Sequence, residues 1–171
     1  VVNVAWGEAL QYADWLDRTV RASPAAAAAL KSLPGDGWRV GLPSEAEWEK
    51  AARGTDGRTY PWGEGIAPDR ANYWASNKGG PTAVGAFPRD ASPYGALDMI
   101  GNVAEWTRSV FQPYPYVASD GREDLRASGP RVVRGASFAS SRRFVRAAYR
   151  SYFVPFFRDK RTGFRVVVSR F

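Results

Sequence analysis

The sequence predicts an α+β fold, a small antiparallel sheet with two or more helices and extensive ordered loops, in one domain covering residues 1–171. Three observations predict it. Apolar residues recur at helical spacing early in the chain, strand-type alternation returns only near its end, and the stretch between is dense in Gly, Pro, Asn, Asp and Trp. With 44% hydrophobic and 24% charged residues among 171, the composition is that of one compact domain and excludes a disordered segment.

Trp6, Ala9, Leu10, Ala13, Leu16 and Val20 share one helical face, with Glu8 and Asp14 opposite. Ser23-Pro24 before five alanines has the pattern of a cap and an N1 proline, starting a short helix that stops near Pro34-Gly35 and reads as an insertion rather than core. Residues 38–42 read as a short strand. Ser44 and Glu47 then form an S-x-x-E capping box, in which hydroxyl and carboxylate satisfy two orphan amides reciprocally. Trp48, Ala51 and Ala52 supply that helix's buried face, and Gly54 is placed to end it. From Tyr60 to Ser128 the chain reads as long loops, which need aromatic plugs, buried hydrogen bonds or bound ions to stay ordered. Alternation in 131–134 and 164–168 reads as two strands of one antiparallel sheet.

The chain contains no cysteine and no histidine, which excludes disulfides, thiolate metal sites, cysteine nucleophiles, every Ser-His-Asp triad and imidazole acid–base chemistry. No apolar run approaches the roughly 20 residues that span a bilayer. Residues 1–5 lack a charged region ahead of a hydrophobic one, so the expectation is a soluble chain without an export signal. Charge is uneven: residues 131–171 hold 11 Lys/Arg against Asp159 alone, while residues 1–130 hold 13 basic and 16 acidic residues. This C-terminal segment either faces nucleic acid or an acidic partner, or uses its arginines to clamp loops.

Seven short stretches together resemble a known family: residues 2–6 (VNVAW), 41–54 (GLPSEAEWEKAARG), 60–63 (YPWG), 84–88 (VGAFP), 94–106 (YGALDMIGNVAEW), 134–137 (RGAS) and 163–165 (GFR). In this order they are similar to the signatures of the formylglycine-generating enzyme, or sulfatase-modifying factor, family. The resemblance implies a C-type-lectin-like fold, and the section that opens the family's domain has no counterpart in these residues. It also implies which chemistry is missing. Family enzymes oxidise cysteine with copper held by two cysteines between the RG(G/A)S and GFR motifs; here Ser140 stands at the first position and the second has no counterpart. A hydroxyl is too hard and too weakly acidic to replace a thiolate on Cu(I), so no copper and no cysteine oxidation are expected. Hydrolysis by Ser137, Ser140 or Asp159 lacks a visible base partner. The resemblance further implies Ca2+ held by Asp98 and Glu105 side chains and the Gly101 and Val103 carbonyls, a set of hard oxygens suited to that ion. The alternative is that the two carboxylates accept only protein hydrogen bonds.

Between the last two motifs, a regular frame (145–150, Pro155, Arg158, 162–167) alternates with irregular clusters, a pattern that resembles the variable region of diversity-generating retroelement proteins built on this fold. There, adenine-directed mutagenesis rewrites Asn-type codons. Ala, Ser, Phe, Tyr, Val, Asp and Arg are all reachable from AAC or AAT, whereas Lys160 is not. The candidate ligand-binding residues are therefore Ala139, Ser140, Ser141, Arg143, Phe144, Ser151, Tyr152, Phe153, Val154, Phe156 and Phe157. Such an aromatic stretch either plugs the core or forms a contact surface, and exposed aromatic and Arg side chains carry most binding energy at interfaces. Tyr149, inside the frame, is assigned to the core. The expected partner is a protein or cell-surface ligand, met on a phage or cell through segments outside these residues. Nucleic acid is the lesser expectation, because Arg134, Arg146, Arg150 and Arg165 fall in motif positions suited to holding loop carbonyls and carboxylates. The function read from all this is non-catalytic ligand binding; the alternative is a degenerate or accessory relative of the enzymes.

Overall fold

The computed structural model describes residues 1–170. Three helices, α1 (Trp6–Ala22), α2 (Pro24–Lys31) and α3 (Glu45–Arg53), join six short strands, β1 (Trp38–Gly41), β2 (Ala104–Val110), β3 (Arg131–Arg134), β4 (Arg150–Phe153), β5 (Thr162–Phe164) and β6 (Val167–Arg170). The α+β, loop-rich class is as expected. A four-stranded sheet runs in the order β4-β3-β2-β5, and β1 pairs with β6 in a second, two-stranded sheet.

The helices form where the pattern places them. Trp6, Ala9 and Ala13 of α1 are buried, α2 buries no residue, and the α3 box closes with Ser44 Oγ accepting from the Glu47 amide at 3.1 Å while Glu47 Oε2 accepts from the Ser44 amide at 2.7 Å. Gly54 ends α3 at φ 66°, in the left-handed region that favours glycine.

Three strand expectations need correction. β2 lies inside the stretch read as loops; it is the centre of the larger sheet, buried on both faces, so it shows no alternation and carries Glu105 and Arg108 in the interior. Residues 164–168 are not one strand: the chain leaves β5 at Arg165 and joins β6 in the other sheet. β5 is also parallel to β2, not antiparallel. The aromatic segment before Pro155 is a strand, β4, paired antiparallel with β3.

The core has three centres. Trp6, Ala9, Leu42, Trp106 and Val133 pack between α1 and the larger sheet; Trp48, Ala52, Met99 and Ala147 pack under α3; Tyr60, Ala71, Tyr73, Ile100, Ala136 and Val145 hold the loops. Gly101, at φ 75°, lets the backbone turn against Asn72, whose carbonyl oxygen any Cβ there would strike.

Candidate functional site

The basic C-terminal segment separates into two populations. Arg131, Arg134, Arg150 and Arg165 are internal clamps. Arg131 donates to the carbonyls of Arg108, Asp124, Leu125 and Ala127 and lies 4.0 Å over the Trp6 ring. Arg134 reaches Glu45 at 2.7 Å, Glu49 at 2.9 Å and the Ala147 carbonyl at 2.8 Å. The wholly buried Glu45 carboxylate also takes Arg150 through both oxygens, at 2.7 and 2.6 Å, which fixes β4 to the start of α3. On the surface, Arg158 pairs with Glu8 and Arg161 with Asp159. Arg146 donates to the Arg143 carbonyl at 3.1 Å, and Arg142, Arg143 and Arg146 are exposed.

A cavity of about 190 Å³ opens between the 137–144 loop, β4 and the 157–162 loop. Phe153 and Phe157, stacked at 4.1 Å, line it and pack onto the core cluster around Trp106. Phe144 and Tyr149, 5.2 Å apart, make another wall, and Ser137, Ser140, Ser151 and Thr162 add hydroxyls. Ala136, in the same lining, holds φ 59°, a left-handed conformation that costs a residue with a Cβ roughly 1–2 kcal/mol.

The cavity is poorly equipped for nucleophilic catalysis. The Ser137 and Ser140 oxygens lie 3.3 Å apart, and among the described residues they bond only to each other and to backbone amides. Asp159 is held below the usual carboxylate range chiefly by its hydrogen bonds from Arg161, whose Nε and Nη2 each reach it at 2.8 Å. A general base needs an oxygen within hydrogen-bond reach of the hydroxyl, and no carboxylate makes that bond here.

The eleven candidate ligand-binding residues fall into groups. Ser140, Phe144, Ser151, Phe153 and Phe157 line the cavity; Ala139, Ser141, Arg143, Val154 and Phe156 are exposed around it, with Phe156 75% exposed. Tyr152 points to the other face of β4 and packs on Phe111, ring centroids 4.3 Å apart. Tyr149, assigned to the core, packs against the Tyr60–Ile100 cluster while also lining the cavity. One residue escaped the sequence reading: Trp74, 71% exposed on a single 3-10 turn, donates its amide to the Ser140 carbonyl at 3.0 Å and lines a second cavity with Phe138 and Ala139.

The calcium set is differently engaged. Both Glu105 oxygens accept from Arg165, at 2.5 and 2.8 Å, and one also accepts the Trp48 indole at 2.7 Å. Arg165 Nη2 also reaches the Asp98 carbonyl at 3.1 Å, and Asp98 Oδ2 accepts the Gly85 amide at 2.6 Å. In this arrangement the Arg165 guanidinium is the cation at Glu105, while Asp98, Val103 and Glu105 line one open cavity with it. Copper chemistry has no thiolate available, since the chain contains no cysteine. No helix among the described residues is long and apolar enough to cross a membrane.

Comparison with known proteins gives the family context. Residues 1–170 match the model of the sulfatase-modifying factor enzyme 1-like domain. The chain is 36% identical over 149 residues to mouse (Mus musculus) inactive C-alpha-formylglycine-generating enzyme 2, covering 81% of this chain and 37% of the relative. It is 39% identical over 127 residues to the formylglycine-generating enzyme of Mycobacterium tuberculosis, covering 67% of this chain and 34% of the relative. The chain thus spans little more than a third of these curated relatives. Among solved structures, PvdO of Pseudomonas aeruginosa superposes with a TM-score of 0.77 at 26% identity, over 98% of this chain and 61% of that one. Treponema denticola variable protein 1 superposes with a TM-score of 0.62 at 30% identity, over 75% and 47%.

Proposed function

The chain belongs to the sulfatase-modifying factor enzyme 1-like domain family, and on that premise we propose that it is a non-catalytic ligand-binding member, the variable protein of a diversity-generating retroelement. One observation carries this reading: seven of the eleven cluster residues are exposed, whereas in the frame only Arg146, Ala148 and Arg158 are. Frame residues Val145, Ala147, Thr162 and Gly163 are buried and Arg150 is tied to Glu45, whereas Ala139, Ser141, Arg143, Phe144, Tyr152, Val154 and Phe156 are exposed. The core clusters contain none of the second group, so substitution there touches only outer contacts such as Tyr152–Phe111 and Phe144–Tyr149, which is what a diversified surface requires. The likeness to Treponema denticola variable protein 1 supports the same reading.

A second reading, a degenerate or accessory relative of the cysteine-oxidising enzymes, is favoured by the 36% identity to the mouse protein named as inactive. Both readings require the absence of turnover. Incubated with a cysteine-containing sulfatase peptide, copper and oxygen, the protein is expected to form no formylglycine by mass spectrometry; product above a metal-only control would overturn the non-catalytic assignment.

A further inference from the structure

The segment that carries Phe144, one wall of the cavity, concentrates positive charge. Arg142, Arg143 and Arg146 occupy three of five consecutive positions, all exposed, and none of them pairs with a carboxylate among the described residues. Several surface arginines elsewhere find acidic partners, as in Arg58–Asp56, Arg89–Asp69 and Arg158–Glu8, while Arg70 and Arg170 bond single carbonyls and lie over Trp rings. The Arg143 guanidinium lies 5.9 Å over the ring of Phe144, a cavity wall, which sets this charge next to one side of the cavity. On the facing loop, Lys160 is exposed beside Asp159, whose carboxylate is already taken by Arg161. Exposed cations therefore adjoin Phe144 on one loop and Asp159 on the other, and none of Arg142, Arg143, Arg146 and Lys160 forms an ion pair among the described residues.

The cavity itself sets the size of what enters. At about 190 Å³ it holds on the order of six water-sized groups, the bulk of one Leu or Phe side chain. Its walls, with Phe144, Phe153 and Phe157, suit an apolar group. A strand of nucleic acid needs successive aromatic faces along one cationic groove. Here Phe153 and Phe157 face each other, and Tyr152 is turned to the other side of β4 against Phe111.

We propose that the ligand of this face is an acidic segment of a partner protein, which sets carboxylates against Arg142, Arg143 and Arg146 and inserts one apolar side chain into the cavity beside Phe144. This rests on the ligand-binding reading above and adds the chemistry of the ligand.

The test uses fluorescence anisotropy with labelled peptides on the intact chain: a Phe flanked by glutamates, the same peptide with lysines, the same acidic peptide with Gly for Phe, and a short oligothymidylate. The glutamate–Phe peptide is expected to bind about tenfold or more tightly than either peptide control, and to weaken with salt. Reversing the charge in a variant carrying Arg142→Glu, Arg143→Glu and Arg146→Glu is expected to weaken it by about tenfold with a melting temperature changed by no more than a few degrees, since these side chains are exposed and make only the Arg146 bond to the Arg143 carbonyl and the Arg143 contact with Phe144. Absence of binding by the acidic peptide, equal binding of the lysine peptide, or tighter binding of the oligothymidylate would overturn the proposal. A basic or neutral partner selected on this same face would preserve the ligand-binding reading while overturning the acidic one, so the two fail separately.

Discussion

Phe153 and Phe157 stack at 4.1 Å with their rings 19° apart, and Phe153 turns its edge to Trp106 at 6.1 Å. The aromatic segment is therefore neither wholly plug nor wholly contact surface. Along 151–157 alternate side chains are half-buried or exposed, so Phe153 and Phe157 support the sheet while Tyr152 and Phe156 face outward.

A pair of double variants reads this division. Replacing Tyr152 and Phe156 together by serine is expected to change stability by no more than about 1 kcal/mol, as exposed positions do. Replacing Phe153 and Phe157 by serine removes half-buried rings from the core edge and is expected to cost about 4 kcal/mol or more. Urea denaturation measures both. Equal losses would show that the segment acts as one plug.

Asp90 gives stability an unusual pH dependence. Only 2% exposed, it accepts the Asp98 amide with Oδ2 at 2.8 Å and leaves Oδ1 without a partner. Burial, with the Asp98 charge adding to it, pushes its carboxyl up to about 6 from 3.8. The folded state then holds a proton that the unfolded state releases, so this group's contribution to stability is greatest below about pH 4 and is lost as pH rises through about 6. Asp90→Asn is expected to flatten that window and raise stability at neutral pH by about 2 kcal/mol. An unchanged profile would contradict the assignment.

Calcium at Asp98, Gly101, Val103 and Glu105 competes with Arg165, which bonds both Glu105 oxygens. The expected outcome is that neither chelator nor added Ca2+ moves the melting temperature of the native chain. A rise with Ca2+ would show that the guanidinium yields the carboxylate to the ion.

Local signals were the legible ones. The Ser44–Glu47 box and the buried stripe of α1 each follow from side chains within a few turns, and β3 was placed by its paired valines although all four of its residues are buried. β2 was hidden because both its faces are buried, with Glu105 and Arg108 satisfied by residues far away in the chain. The break between β5 and β6 was hidden because Arg165 looks like an outward residue of one strand until its partner Glu105 is known. At the candidate site, the residue types were legible, but their directions depended on recognising β4, whose period of two sorts Phe153 from Tyr152. Trp74 depended on a loop-to-loop contact that no local pattern announces.

If residues 139–161 carry diversified positions on a fixed frame, the DNA flanking the gene holds a reverse transcriptase gene and an imperfect repeat of these codons. Sequencing that DNA is expected to show a repeat matching at Val145, Ala147, Arg150 and Pro155 and carrying AAC or AAT where Ser140, Ser141, Arg143, Phe144, Tyr152, Val154 and Phe156 stand. A complete flanking sequence with no such repeat, or a repeat whose differences fall on the frame codons, would contradict it and leave the accessory-relative reading in its place.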